Sequence, residues 1–232
     1  MENYQEQYKQ ELHQQEINSN LRTLKGFLWI FVTILILWLL TLVGIFIVDA
    51  GIFTMAVGMS VVIGIPVLYI YKKVDLSRDW VKYVLLALIC AISAVMAAFL
   101  SFHAVLIYVL PLLSAVQYRE RMTLWVTYAV NDVTMTLSML AGFYHGICDL
   151  NLLLGSNHTR DWYMEQWGAG TLQFSLEPDP VFTILFYGAL PRAVILLAFT
   201  FILRYIMTLC PYQPTNVRLR LPTRRLHARK AS

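Results

Sequence analysis

The chain has 232 residues, of which 58% are hydrophobic and 14% are charged, and its mean hydropathy is +0.59. Soluble domains carry about 25% charged residues, so the composition excludes an ordinary soluble protein and indicates an integral membrane protein. The net charge of +4 does not indicate a nucleic-acid partner, because the basic residues lie beside apolar runs, where anionic lipid headgroups would meet them. The partner that this pattern predicts is the lipid bilayer.

A polar leader, residues 1–25, precedes the first apolar run. It contains four Glu and is too long and too acidic for a cleaved signal peptide, so we expect the first span to be retained. Its apolar residues recur at roughly helical spacing, which fits an amphipathic helix on the membrane or against a partner. A solvated, partly frayed tail is the alternative, and the sequence favours neither.

Six apolar runs follow, and they predict an all-α, polytopic membrane bundle. An α-helix rises about 1.5 Å per residue, so roughly 20 apolar residues cross a hydrocarbon core about 30 Å thick. The predicted spans are about 26–48, 52–71, 83–101, 103–118, 123–144 and 181–208. The turn between the third and fourth spans is very short, so these two should form an antiparallel hairpin. The third span also places Ala87, Ala91, Ala94 and Ala98 on one helix face that can approach a neighbour closely.

The distribution of positive charge predicts the orientation of the bundle. Of the 18 Lys and Arg residues, only Arg160 falls in a segment that the span pattern places outside. Under the positive-inside rule, both termini are therefore cytoplasmic in a multi-pass protein of the cell membrane. The expected organisation is a cytoplasmic leader at 1–25, a membrane domain at 26–208 with an outer loop at 145–180, and a basic cytoplasmic tail at 209–232.

Two ionisable residues fall deep within the predicted spans, where charge is costly and commonly functional. Asp132 lies about nine residues from the cytoplasmic start of the fifth span, and Arg192 about eleven from the outer start of the sixth. Both counts give a position near the midplane, so we predict that the two side chains pair, with Asn131, Tyr128 and Thr134 as secondary partners. The pair could anchor a ligand, switch with protonation, belong to a transport path, or be a salt bridge that fixes helix register.

The outer loop is the one predicted extramembrane segment large enough to meet an external ligand. The candidate ligand-facing residues on this side are His103, His145, Asp149, Asn151, Trp162 and Trp167. His103, His145, Cys148 and Asp149 could gather around a metal, but no pair among them has firm ligand spacing, so we predict no metal site. We favour a loop whose Trp and Tyr residues lie at the interface and cap the bundle.

No catalytic motif was found: the chain has no GxSxG elbow, P-loop, HExxH pair or GxGxxG loop. The prediction is a protein that is not an enzyme and that binds no cofactor.

Two runs, FHAVLIYVLPLLSAVQYRERMTLWVTYAV and LAGFYHGICDLNLLL, carry a resemblance. They resemble the N-terminal multi-span input region of bacterial, Firmicutes-type diguanylate cyclases that carry a GGDEF domain after their last span. The matching positions are His103, Pro111, Gln117, Tyr118, Arg119, Gly142, Tyr144, Gly146, Cys148, Asp149, Leu150 and Asn151. In that family the membrane region is thought to receive a signal, while the cytoplasmic domain makes cyclic di-GMP.

The chain departs from the family after the sixth span, where about two dozen residues end in RLRLPTRRLHARKAS without a GGDEF sequence. We therefore expect either a truncated gene product or a separate input module that acts through a cytoplasmic signalling partner or a second copy. The function expected is membrane sensing without an output domain of its own. The alternative is a small transporter or transporter subunit that uses Asp132 and Arg192, although the chain shows no internal repeat of the kind common in transporters.

Overall fold

The fold was analysed in a computed structural model, which describes residues 2–45, 50–100, 106–144, 165, 169 and 180–209. Of these described residues, 92% are helical and none lies in a strand, so the predicted all-α class is confirmed. In chain order, the helices are α1 (Glu2–Leu42), α2 (Ala50–Lys73), α3 (Asp79–Leu100), α4 (Val109–Val116), α5 (Arg121–Tyr144), α6 (Pro180–Thr183), a π-helical segment (Ile184–Ala189) and α7 (Leu190–Leu209).

Four helical stretches in the described residues are long and apolar enough to cross a membrane, which is consistent with a membrane protein. They are His13–Leu42, Ala50–Lys73, Asp79–Leu100 and Ile184–Leu209. Large apolar side chains on their outer faces, such as Leu28, Leu68 and Ile195, are more than half exposed. Contiguous apolar surface of this kind is rare on soluble monomers but normal against lipid.

The six full-length spans of the sequence prediction are not confirmed. In place of the fourth, a 3₁₀ turn at 106–108 leads into α4, whose eight residues extend only about 12 Å. Helix α5 has 24 residues, enough to cross by length, but Asn131, Asp132 and four threonines make it less apolar than the four candidate spans. Polar residues therefore concentrate in the one long helix that composition does not identify as a span.

The leader is helical and continuous with the first span in α1. Ser19, Asn20, Thr23 and Phe27 are all buried, and their spacing places them on one face of this helix. The leader is therefore helical, and its buried face is mainly polar. That it lies on the membrane or against a partner stays a prediction.

Contacts between helix ends establish the helix directions. Near the start of α3, Lys82 contacts Glu16 of α1 and Glu120 just before α5, whereas Gly142 near the end of α5 lies against Ala98 near the end of α3. Helices α1, α3 and α5 therefore run parallel.

The other two long helices run in the opposite direction. Trp38, late in α1, donates a hydrogen bond to Thr54, early in α2. Ile184, before α7, packs against Phe143 at the end of α5. Phe201, later in α7, makes an edge-to-face ring contact with Trp125 near the start of α5.

Helix α3 lies at the centre of the bundle, where it contacts α1, α2, α4 and α5. In its most apolar 18-residue stretch, half of the residues are buried, whereas the corresponding share is 22–28% in the other three candidate spans. The predicted small face of α3 is only partly used for close packing. Ala98 meets α5 directly, Ala91 and Ala94 line a cavity, and Ala87 is exposed.

We predict that Gly142→Leu weakens the packing of α5 on α3. A Cβ at this position would meet the Ala98 carbonyl oxygen at 2.9 Å, and backbone cannot move aside as a flexible side chain can. The free energy of unfolding should fall by about 1–3 kcal/mol, the range found for overpacking. Thermal unfolding in detergent measures the change. The matched control is Gly58→Leu in α2, where a Cβ meets nothing within 4 Å, and equal losses in the two variants would contradict the packing explanation.

Candidate functional site

Helix α5 carries a buried polar row on the face that meets α3 and α4. Thr127, Asn131 and Ser138 are each at most 5% exposed. The Asn131 side-chain amide donates to the Tyr108 carbonyl oxygen at 2.8 Å, and the Tyr108 and Ser138 hydroxyls lie 2.6 Å apart in a hydrogen bond. Asn131 Oδ1 is buried without a hydrogen-bond partner in the structure, which is costly unless another donor meets it.

The position of Tyr108 explains how the short α4 fits beside α5. Tyr108 immediately precedes α4 and lies level with Asn131, ten residues into α5. From there α4 runs back to the start of α5, where Tyr118 contacts the leader. Helix α4 is therefore a half-length helix that begins near the middle of the bundle.

The predicted ion pair between Asp132 and Arg192 is not among the ion pairs of the described residues. An Arg192 guanidinium nitrogen instead donates to the Met139 sulfur at 3.0 Å, and Asp132 Oδ1 is buried with no hydrogen-bond partner among the described residues. Met139 is seven residues beyond Asp132, about 10 Å along α5.

Helix geometry accounts for this separation. Side chains in an α-helix lean toward its N-terminus, and α5 and α7 are antiparallel. The Asp132 and Arg192 side chains therefore lean in opposite directions even where their backbones lie at similar depth. Counting residues from the end of a span estimates the depth of each backbone in the membrane, but it does not show in which direction the side chains lean.

The predicted secondary partners bond elsewhere in the structure. The Tyr128 hydroxyl donates to the Ala193 carbonyl oxygen at 3.3 Å, and the Thr134 hydroxyl donates to the Asn131 carbonyl oxygen at 3.1 Å. The α5 and α7 helices are thus joined through Tyr128 and Met139, on either side of Asp132 along the chain.

A cavity of about 430 Å³ lies between α2, α3 and α5. Met55 and Met59 line it from α2, Ala91 and Ala94 from α3, and Thr134 and Ser138 from α5. The two hydroxyl side chains connect this largely apolar space to the buried polar row.

The predicted outer ligand-facing residues, His103, His145, Asp149, Asn151, Trp162 and Trp167, lie outside the described residues, as do Cys148 and Cys210. Within the described ranges, no three His, Cys, Asp or Glu side chains gather as a metal site would need. Cys90 is a buried free thiol of α3.

A second polar group, which the sequence analysis did not find, lies at the start of the parallel helices. We call Glu16, Lys82 and Glu120 the charged triad. Lys82 Nζ lies 3.1 Å from Glu16 Oε1 and 2.8 Å from Glu120 Oε2, and its side chain is only 12% exposed. One cation therefore joins the leader, α3 and the α4–α5 turn.

Hydrogen bonds beside the triad extend the same connection. The Tyr118 hydroxyl donates to Asn20 Oδ1 at 2.8 Å and lies 2.9 Å from Thr23 Oγ1, and the Asn20 amide donates to the Leu76 carbonyl oxygen at 2.8 Å. Burial raises the pKa of Tyr118 to about 12, so this hydroxyl stays a donor at any physiological pH.

The sequence contained part of the signal for this group. Ser19, Asn20 and Thr23 form a small polar stripe on a helical leader, but nothing in one sequence says that it faces Tyr118. The contact between Lys82 and Glu120 joins residues 38 positions apart, which no local pattern in the sequence indicates.

Removing the triad's cation should destabilise the fold more than removing the whole triad. We expect Lys82→Ala to cost about 3 kcal/mol of unfolding free energy, because it leaves two partly buried carboxylates without their partner. The triple change Glu16→Gln, Lys82→Met and Glu120→Gln should recover most of that loss. Unfolding in detergent measures both, with the exposed Lys72→Ala as control. A triple variant no better than Lys82→Ala would contradict this account.

The triad also predicts a dependence of stability on pH. Burial raises the pKa of Glu120, but hydrogen bonds from Lys82 and Thr123 outweigh it and hold the pKa below its usual value. The contribution of Glu120 is therefore complete above the unfolded-state pKa of about 4.3 and is lost as pH falls through the lower folded-state pKa. The Tm advantage of the parent over E120Q should narrow below about pH 4. A constant difference from pH 7 to pH 3 would contradict the assignment.

A double-mutant cycle tests whether Asp132 and Arg192 interact. We expect Asp132→Asn to be at least as stable as the parent, because it removes a charge with a buried, unpaired oxygen. The coupling energy with Arg192→Gln should be below about 0.5 kcal/mol, as for independent sites. Coupling of about 3 kcal/mol would instead restore the direct pair.

In comparisons with known proteins, no family model, no curated protein and no solved structure matches this chain.

Proposed function

We propose that the chain is a membrane sensory or input module of a bacterial signalling system, with six membrane crossings and both termini in the cytoplasm. The parallel directions of α3 and α5 support this topology, because the chain must return across the bundle between them. Helix α4, which runs from the level of Asn131 back to the start of α5, covers part of that return. The resemblance of residues 102–154 to cyclase input regions supports a signalling role, with a cytoplasmic signalling protein or a second copy as partner.

The observation that carries the proposal is the π-helical segment Ile184–Ala189 in the last helix. Single π-helical turns are rare and often occur at functional sites. Pro191 lacks the N–H that would bond the Tyr187 carbonyl four residues earlier, so an α-helical bond is already missing at this point. The segment can therefore change its hydrogen-bond register at a lower cost than a regular helix.

Such a change would turn the rest of the helix as a unit. A shift of one residue in an α-helix of 3.6 residues per turn corresponds to a rotation of about 100°. On one side of Ile184–Ala189 the chain leads to the outer loop, and on the other α7 leads to the predicted cytoplasmic end. The proposed mechanism is that an external event biases the π segment, and α7 transmits the rotation inward.

A specific observation favours the alternative, a small transporter. Transporters often build midplane sites from discontinuous helices, and α4 begins beside Asn131, whose Oδ1 lacks a hydrogen-bond partner in the structure. Transport requires that this region be reached by solvent from both sides of the membrane. Sensing requires access from the outer side only.

Cysteine labelling distinguishes the two functions. Thr134→Cys places a thiol in the cavity beside α3, in a background with Cys90, Cys148 and Cys210 replaced by Ala. We expect a membrane-impermeant thiol reagent to label it in intact cells and not in inverted vesicles. The matched control is Val133→Cys. The Val133 side chain is exposed on the surface of the bundle and does not line the cavity.

Labelling of Thr134→Cys from both sides would overturn the sensory proposal in favour of transport. Labelling from neither side would contradict transport, and for sensing it would limit the external event to the π segment and the residues outside the cavity.

A further inference from the structure

Helices α1 and α2 enclose a groove of about 570 Å³ that is separate from the cavity beside α3. We call it the α1–α2 groove. Phe27, Leu28 and Phe31 line it from α1, and Val61, Val67 and Leu68 from α2. Its polar lining side chains are Lys25 and Tyr71, which lie toward the end where α2 finishes.

The length of the groove corresponds to one leaflet of a bilayer. Its lining on α2 extends from Val61 to Tyr71, ten residues or about 15 Å, which is half of a hydrocarbon core about 30 Å thick. The lining on α1 extends over the same number of residues, from Leu21 to Phe31. An acyl chain that lay along this groove would therefore reach from the polar boundary to the middle of the membrane.

The charged residues of α1 and α2 next to the polar end of the groove are basic. Lys25 is exposed at the groove, and Lys72 and Lys73 form the last turn of α2 directly after Tyr71. The ion pairs among the described residues all belong to Lys82. Lys25 therefore forms no ion pair with a carboxylate in the described part of the chain. Lysine side chains extend from apolar surface to the headgroup layer, and basic pockets between spans bind anionic lipid headgroups.

The Phe31 ring, which lines the groove, packs against Gly64 of α2, so the two helices are in contact beside it.

We propose that the α1–α2 groove binds one anionic phospholipid, with an acyl chain between Phe27 and Val67 and the headgroup phosphate on Lys25. This inference does not depend on whether the protein senses or transports.

Native mass spectrometry of the full chain with added phosphatidylglycerol or phosphatidylcholine tests the proposal. We expect one phosphatidylglycerol to bind at least tenfold more tightly than phosphatidylcholine. Lys25→Gln should remove most of that preference, whereas Arg22→Gln, an exposed cation three residues away that does not line the groove, should leave it unchanged. Leu28→Trp, which adds bulk to an exposed lining position, should weaken binding of both lipids at least fivefold.

Equal binding of the two lipids would overturn the proposal, as would equal effects of Lys25→Gln and Arg22→Gln. A Leu68→Cys variant that forms a disulfide-linked dimer in membranes, with no phosphatidylglycerol bound, would assign the groove to a second copy instead.

Discussion

The arrangement of the bundle depends on one ammonium group. Lys82 is the cation between two carboxylates. Glu16 lies near the start of the candidate span within α1, Lys82 near the start of α3 and Glu120 just before α5, so their contact fixes these three segments at a common level. A lysine this enclosed is tolerated only when its charge is matched, and here it is matched twice. With that level fixed, Gly142 can meet Ala98 at the opposite end of the same helix pair.

Arg119 shows how closely the turn next to the triad is constrained. It adopts a left-handed backbone conformation, with φ of 54°, which is uncommon for a residue with a side chain. Tyr118 before it points to the leader, and Glu120 after it points to Lys82. This conformation contributes to the reversal of the chain between α4 and α5 and lets both neighbours reach their partners. The hydrogen bonds and ion pair on either side hold it in place.

Sequence reasoning predicted those parts of the fold that follow from run length and periodicity. The four most apolar helices were expected, and α3 was expected to carry a small face. A full-length fourth span at 103–118 is not confirmed, because among the described residues of that run only Val109–Val116 are α-helical, and an apolar run does not show where helical hydrogen bonding begins. The Asp132–Arg192 pair was predicted from depth alone, whereas side-chain direction in antiparallel helices decides which groups meet. The charged triad depends on contacts between distant segments, which a single sequence without relatives cannot supply.

The continuity of α1 has a mechanical consequence. Its 41 residues would extend about 60 Å, roughly twice the thickness of a hydrocarbon core, so a long part of the rod lies beyond the lipid. Glu16 forms the ion pair that holds the leader to α3, so α1 would tilt about this residue. A tilt of about 10° there would displace the tip, 14 residues or about 21 Å away, by about 4 Å. A small rearrangement among the helix starts would thus be amplified at the N-terminal tip of α1.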